Sequence, residues 1–330
     1  MILDSFEASS APRVYVIHEN DDWVAPLRRE FAELGVSYSE WFLDRGALNL
    51  ESTPPEGIFY NRMSASSHTR GHRYAPEFTA AVLAWLKRND RIVVNGERAV
   101  QIEVSKVAQY EALKEAGVPT PDTIAVIGRE NIAAAAERIG FPVILKHNRA
   151  GKGLGVQLLY SAAALEEHVA SADFEESIDG ITLVQRYIEA PEPYITRVEF
   201  VGGKLVYAVR VDTSEGFELC PADVCQIDET ASASSTVARN DKFQILPEFE
   251  HPLLPAWQAF LARNDIKIAG IEFIVDAAGR SFTYDINTNT NYNPDAEAKD
   301  GRRGMRAIAE YLRELLGGQY GAASGVATAA

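Results

Sequence analysis

The chain has 330 residues, 46% of them hydrophobic and 24% charged, a balance that supports two domains with full apolar cores and excludes bulk disorder. A formal net charge of −15 disfavours nucleic acid and anionic membrane surfaces as partners, and no apolar run reaches the roughly 20 residues that span a bilayer. Two cysteines, Cys220 and Cys225, exclude a disulfide scaffold, and the opening MILDSFEASSAPR lacks the basic and apolar regions of a signal peptide, so a cytoplasmic location is expected.

In chain order, Arg13–His18 reads as an apolar strand and Trp23–Leu34 as a helix stopped by Gly35. Strands are expected at Val36–Trp41 and Gly57–Tyr60, a helix at Tyr74–Lys87 and a strand at Arg91–Asn95. Strands alternating with helices predict a small parallel α/β unit over residues 1–97. Ser105 can cap a helix running to Ala116, and Val118–Pro121 must be extended because proline restricts its predecessor. A helix over Asn131–Gly140 leads to the strand Phe141–Lys146, a glycine-rich loop, the strand Val156–Tyr160 and the helix Ser161–Ala170. The strand Ile181–Ile188 enters an irregular stretch, Glu189–Tyr194.

Hairpins dominate the last third. Ile195–Val201 and Lys204–Val211 flank Gly202-Gly203, a strong two-residue turn signal. Ile266–Asp276 and Ser281–Thr288 form a second pair, with helices at Leu253–Arg263 and Gly304–Leu316. The tail, residues 317–330, is rich in Gly, Ala and Ser and is expected to be disordered.

The most informative segment is IEFIVDAAGRSFTYDINTNTN, Ile271 to Asn291. Alternation places Asp285 and Asn287 on one strand face, and a turn near Ala278 brings Glu272 opposite Asp285. Two carboxylates and an amide suit Mg2+, a hard cation that prefers oxygen; a polar face of an exposed hairpin is the alternative, weakened by core-like neighbours such as Phe273 and Ile286. In KHNRAGKGLGV, the glycines Gly151, Gly153 and Gly155 surround Lys152 just beyond Lys146, and such a loop can bring backbone N–H groups and lysine charge to an anion. It is neither a Walker A loop nor a Rossmann fingerprint, and a plain surface loop remains open. In YNRMSASSHTRGHR, after a strand end, Arg62 could pair with a substrate carboxylate and Ser64 could add a hydrogen bond; a polar loop is the alternative.

The series Lys106, Lys146 with its glycine-rich loop, QRYI, then Glu272, Asp285 and Asn287 resembles the ATP-grasp superfamily of carboxylate–amine ligases over about residues 98–316. VILKHNRAGKGLGV, LVQRYIEA, RVEFVGGKLVYAVRV and IEFIVDAAGRSFTYDINTNT carry the likeness, which is nearest to the RimK-like alpha-L-glutamate ligases and glutathione synthetases. The resemblance implies an α/β fold with a pre-ATP-grasp domain (1–97), a central lobe (98–183) and a C-terminal lobe (184–316). It implies ATP and Mg2+, with Mn2+ as a substitute, and an amide bond made through an acyl phosphate.

By the same resemblance, Lys106, Lys146, Gly151, Lys152, Gly153 and Gly155 contact ATP phosphates, Gln185, Tyr187 and Ile188 meet adenine, and Glu192 reaches the ribose. Arg197 and Arg210 stand near the phosphates and the developing acyl phosphate, Glu272, Asp285 and Asn287 hold the metal, and Arg62, Ser64 and Asn289 face the substrate. Amino-acid or peptide substrates are implied, free or at a protein C-terminus, and a homodimer or homotetramer stays open. The run Thr288–Pro294 departs from the family's usual Ser/Thr-Pro-Gly stretch, as Ile195 does from its usual Asp, so the substrate is not named. A non-catalytic nucleotide-binding scaffold is the rival reading, against which the complete triad argues.

Overall fold

The computed structural model describes residues 2–3, 11–151, 153, 155–214 and 242–321. The cysteines, Lys152 and residues 322–330 therefore lie outside the described residues.

The N-terminal unit comprises β1 (Ile2–Leu3), β2 (Arg13–His18), α1 (Asp21–Leu34), β3 (Tyr38–Phe42), β4 (Ala47–Leu48), β5 (Gly57–Asn61), α2 (Ala75–Arg88) and β6 (Ile92–Val94). Its main sheet has the order β3-β2-β5-β6 and every pairing is parallel, as the alternation of strands and helices predicts. The helix α1 starts two residues before the expected Trp23, because the Asn20 side chain accepts from the backbone N–H groups of Asp22 and Trp23.

Two helices follow, α3 (Glu97–Glu103) and α4 (Lys106–Glu115). They are expected to belong with the phosphate-loop lobe, but they pack on the C-terminal sheet instead: Ile102, Tyr110 and Leu113 share one core with Phe200, Trp257 and Ile271. The apolar face of α4 thus covers the strands that carry the acidic residues.

The central sheet contains β7 (Thr123–Ile127), β8 (Val143–His147), β9 (Gln157–Leu159) and β10 (Ile181–Arg186), with α5 (Ile132–Ile139) and α6 (Ala162–Ala170) packed on it. Its order is β7-β10-β8-β9, and the strand β7 is not foreseen, because it is short, lies at an edge and exposes Ile127.

The C-terminal sheet, β13-β12-β11-β14-β15, is antiparallel. It is built from β11 (Tyr194–Val201), β12 (Lys204–Asp212), β13 (Phe243–Leu246), β14 (Ile268–Val275) and β15 (Ser281–Asn287), with α7 (Leu254–Arg263) between β13 and β14. Gly202 and Gly203 both have positive φ, 60° and 73°, which the tight β11–β12 turn requires. Beyond β15 come α8 (Pro294–Asp300) and α9 (Gly304–Tyr320). The helix α9 runs through residues 317–320, expected to belong to a disordered tail, and the Tyr320 hydroxyl accepts from Gly57 N at 3.2 Å. No helix among the described residues is long and apolar enough to cross a membrane.

Candidate active site

Register decides which groups meet. From Val275↔Ser281 to Phe273↔Thr283 the β14–β15 pairing is regular; a bulge then places Tyr284 as an extra residue, so that Glu272 pairs with Asp285 and Gly270 with Asn287. Without that slip Asp285 and Asn287 would face the opposite side from Glu272. The neighbouring strand adds Arg197, opposite Glu272, and Glu199, opposite Gly270.

These groups form one buried network. Arg197 donates to Glu199 Oε1 (2.5 Å), Glu272 Oε1 (2.9 Å) and Thr290 Oγ1 (2.5 Å), and Thr290 Oγ1 in turn donates to Glu199 Oε2 (2.7 Å). Asn287 Nδ2 donates to Glu272 Oε1 at 3.1 Å, and Lys106 Nζ donates to Asp285 Oδ1 at 2.6 Å. Burial pushes the Glu272 carboxyl above its ordinary range, although Arg197 pulls it down. Burial also acts on Asp285, but Lys106 and Lys146 outweigh it and hold that carboxyl below the usual range. Two carboxylates and an amide are an all-oxygen donor set, which fits Mg2+.

Lys146 is buried beside Tyr110, donating to its hydroxyl at 2.5 Å. Burial and, second, the Lys106 charge depress its pKa to about 7. Tyr110 also accepts from Gln185 Nε2 (3.0 Å) and donates to the carbonyl of Tyr284 (2.9 Å), so one hydroxyl links the lysine, the interlobe strand and the bulge.

Arg197, Glu272, Asp285 and Asn287 line a cavity of about 510 Å³ between the central and C-terminal sheets. Gly151, Gly153, Gln185, Tyr187, Ile188 and Glu192 line it with Lys106 and Lys146, and so do Ser64 and Asn289 at the N-terminal side. Gly155 lies against the ring of His147 and borders a smaller neighbouring pocket instead.

Two expected site residues stand elsewhere. Arg210 pairs with Thr196, on the face opposite Arg197; it is exposed, stacks 4.4 Å from the Tyr194 ring centroid, and does not line the cavity. Alternation in β12 sets that face, and the sequence without the register does not reveal it. Arg62 is only 1% exposed and is no substrate ligand in this arrangement: its guanidinium donates to Asn289 Oδ1 (3.1 Å), the Thr290 carbonyl (3.1 Å) and Asn291 Oδ1 (2.8 Å). It clamps the loop after β15 from behind.

Other residues matter that the sequence does not single out. Gln109, buried on α4, donates to the Ile286 carbonyl and accepts from Ile286 N, fixing β15 between Asp285 and Asn287. A glutamine within an apolar helix face is the only signal that could have found it. Glu103, at the end of α3, also lines the cavity.

Comparison with known proteins agrees with this architecture. Residues 105–200 match the family model described as carbamoyl-phosphate synthase L chain, ATP binding domain. Over 128 residues the chain is 31% identical to beta-citrylglutamate synthase B of Mus musculus, covering 38% of this chain and 32% of that protein, so it spans about a third of that curated relative. A RimK domain ATP-grasp protein from Sphaerobacter thermophilus superposes with a TM-score of 0.61 at 19% identity, covering 91% of this chain and 98% of the other. The ATP-grasp ligase PsnB, solved with a minimal precursor, gives 0.63 at 15% identity, covering 92% and 99%. With near-complete structural coverage of both solved structures, the chain has the ATP-grasp fold.

Proposed function

We propose that the protein is an ATP-dependent carboxylate–amine ligase acting on amino-acid-like or peptide substrates. The observation that carries this reading is the convergence of Glu272, Asp285 and Asn287 with Lys106, Lys146 and Arg197 on one cavity wall. Phosphoryl transfer asks the protein mainly for positioning and neutralisation of charge, and this wall offers both.

In this reading Lys106 and Lys146 hold nucleotide phosphates, with the loop at Gly151 and Gly153 beside them. Gln185, Tyr187 and Ile188 receive the adenine and Glu192 the ribose. Glu272, Asp285 and Asn287 hold Mg2+, which supplies neutralisation of phosphate charge when bound. Arg197, locked between two carboxylates, faces the carboxylate that becomes the acyl phosphate. An amine then displaces phosphate to give the amide. Ser64 and Asn289 bound the substrate end, and Arg62 supports it through Asn289.

The named relatives favour this chemistry. The solved PsnB complexes contain precursor peptides, and the curated relatives include synthases of citrylglutamate and of N-acetylaspartylglutamate. Screening amino-acid pairs for ATP-dependent ADP and phosphate release is the test. Release that requires both an added carboxylate and an added amine is expected; release indifferent to them counts against a ligase.

A further inference from the structure

Glu103 lines the same cavity as Ser64, Ser66, Asn287 and Asn289. Its Oε2 accepts from the backbone N–H of Thr288 at 2.7 Å and from Thr288 Oγ1 at 2.9 Å. Its Oε1 has only a long contact, 3.4 Å, from Ala65 N. Both partners are neutral, and among the described residues no basic side chain forms an ion pair with it. Burial raises its pKa above the ordinary carboxylate range, against the pull of the Thr288 donors.

A carboxylate on a ligand-cavity wall without a counterion is unfavourable alone and is relieved by a cationic ligand. Its place is specific, because Thr288 directly follows Asn287, so Glu103 stands beside the triad on the substrate side. The arginines nearby do not neutralise Glu103. Arg197 is committed to Glu199, Glu272 and Thr290, and Arg62 to Asn289, Thr290 and Asn291.

We propose that Glu103 binds the ammonium group of the nucleophilic substrate, making a primary amine, recognised through its cationic nitrogen, the acceptor class. This rests on the ligase reading above. In the reaction, Glu103 takes one proton from R–NH3+, leaving R–NH2 and a neutral carboxyl. The nitrogen lone pair forms the C–N bond to the acyl carbon of the acyl phosphate. The C–O bond to phosphate breaks, and its electron pair leaves with the phosphate. A second nitrogen proton goes to that phosphate, giving HPO4 2−, and Glu103 then returns its proton to solvent.

The test uses the full chain and two neutral-pH probes, L-alaninamide and propionamide, which differ by the amino group. Binding is measured by calorimetry in saturating Mg-AMPPNP, for the natural protein, Glu103→Gln and Glu103→Asp. The natural protein should bind L-alaninamide at least tenfold more tightly than propionamide. Glu103→Gln should erase that difference while Mg-AMPPNP affinity stays within twofold, and Glu103→Asp should retain part of it. Equal binding of the two amides by the natural protein, or a preference that survives in Glu103→Gln, overturns the proposal. A purely structural role for Glu103 would weaken both probes alike. Should Glu103→Gln fail to fold, the two-probe comparison in the natural protein decides. Failure to bind Mg-AMPPNP at all would bring down the ligase reading itself, a result distinct from loss of the amine preference alone.

Discussion

Arg197 lies flat over Gly270. A Cβ at position 270 would stand 2.5 Å from Arg197 Nη2 and 2.7 Å from Cζ, closer than any side chain can tolerate. The guanidinium cannot tilt aside without releasing Glu199 and Glu272, both of which are buried. Gly270→Ala is therefore expected to cost about 3–5 kcal/mol, the range for breaking a buried ion pair. Urea unfolding checks the loss, and turnover should fall with it. A variant of unchanged stability would show that the guanidinium is not pinned.

The triad predicts a loss of activity without loss of fold. Asp285→Asn removes one charge and Asn287→Ala one oxygen ligand, and each should lower turnover on the order of 100-fold, given several kcal/mol of metal-borne charge stabilisation. Raising Mg2+ should recover part of the Asp285→Asn loss. Near-normal turnover in both variants would remove them from the metal site.

Lys146 gives a pH signature. With its pKa depressed to about 7 in the free protein, it is neutral over much of the alkaline range. Phosphate oxygens favour the charged form, so nucleotide binding should take up a proton above that pH. Affinity for Mg-ATP should then fall as pH rises through about 7, by up to tenfold per unit. Calorimetry in two buffers of different ionisation enthalpy reads the proton directly; no uptake at pH 8 would contradict the assignment.

Arg62→Ala should act as a packing and polar lesion. Three oxygen acceptors in the loop after β15 lose their donor, at a cost of about 2–4 kcal/mol for a buried hydrogen-bonded charge. Turnover should drop because Asn289 and Asn291 move, while Mg-ATP affinity stays within a few-fold. Normal stability in this variant would mean that the loop holds itself.

Much of the site is legible in the sequence because its groups are clustered along strands. Glu272, Asp285 and Asn287 follow from a hairpin and a period of two, although it is the bulge at Tyr284 that puts them on one face. Lys146 and the glycine loop announce themselves by composition. Arg197 and Arg210 look alike in sequence, and only the register across β11 and β12 separates the buried one from the exposed one. Glu103 carries no motif, since its role depends on where α3 ends relative to a loop 185 residues later. Arg62 is misread for the opposite reason. An arginine among serines suggests a wet loop, whereas tertiary contacts from Asn289 to Met305 bury it completely.

The last helix has a mechanical consequence. Met305, Ile308, Leu312 and Leu316 of α9 share one apolar core with Val14, Leu27 and Ile58 of the first unit and with Ile195 and Val209 of the last sheet. Asn95 bonds to the carbonyls of Ile268 and Thr288 across the same junction. The first and last thirds of the chain are thereby welded into a single block. The central sheet keeps a core of its own and meets that block through Leu183, Asn148 and polar ties such as Arg149 to Glu77. The triad and the substrate end therefore belong to one packed body with the first unit, and the cavity wall that carries Lys146 is the one built on a separate core.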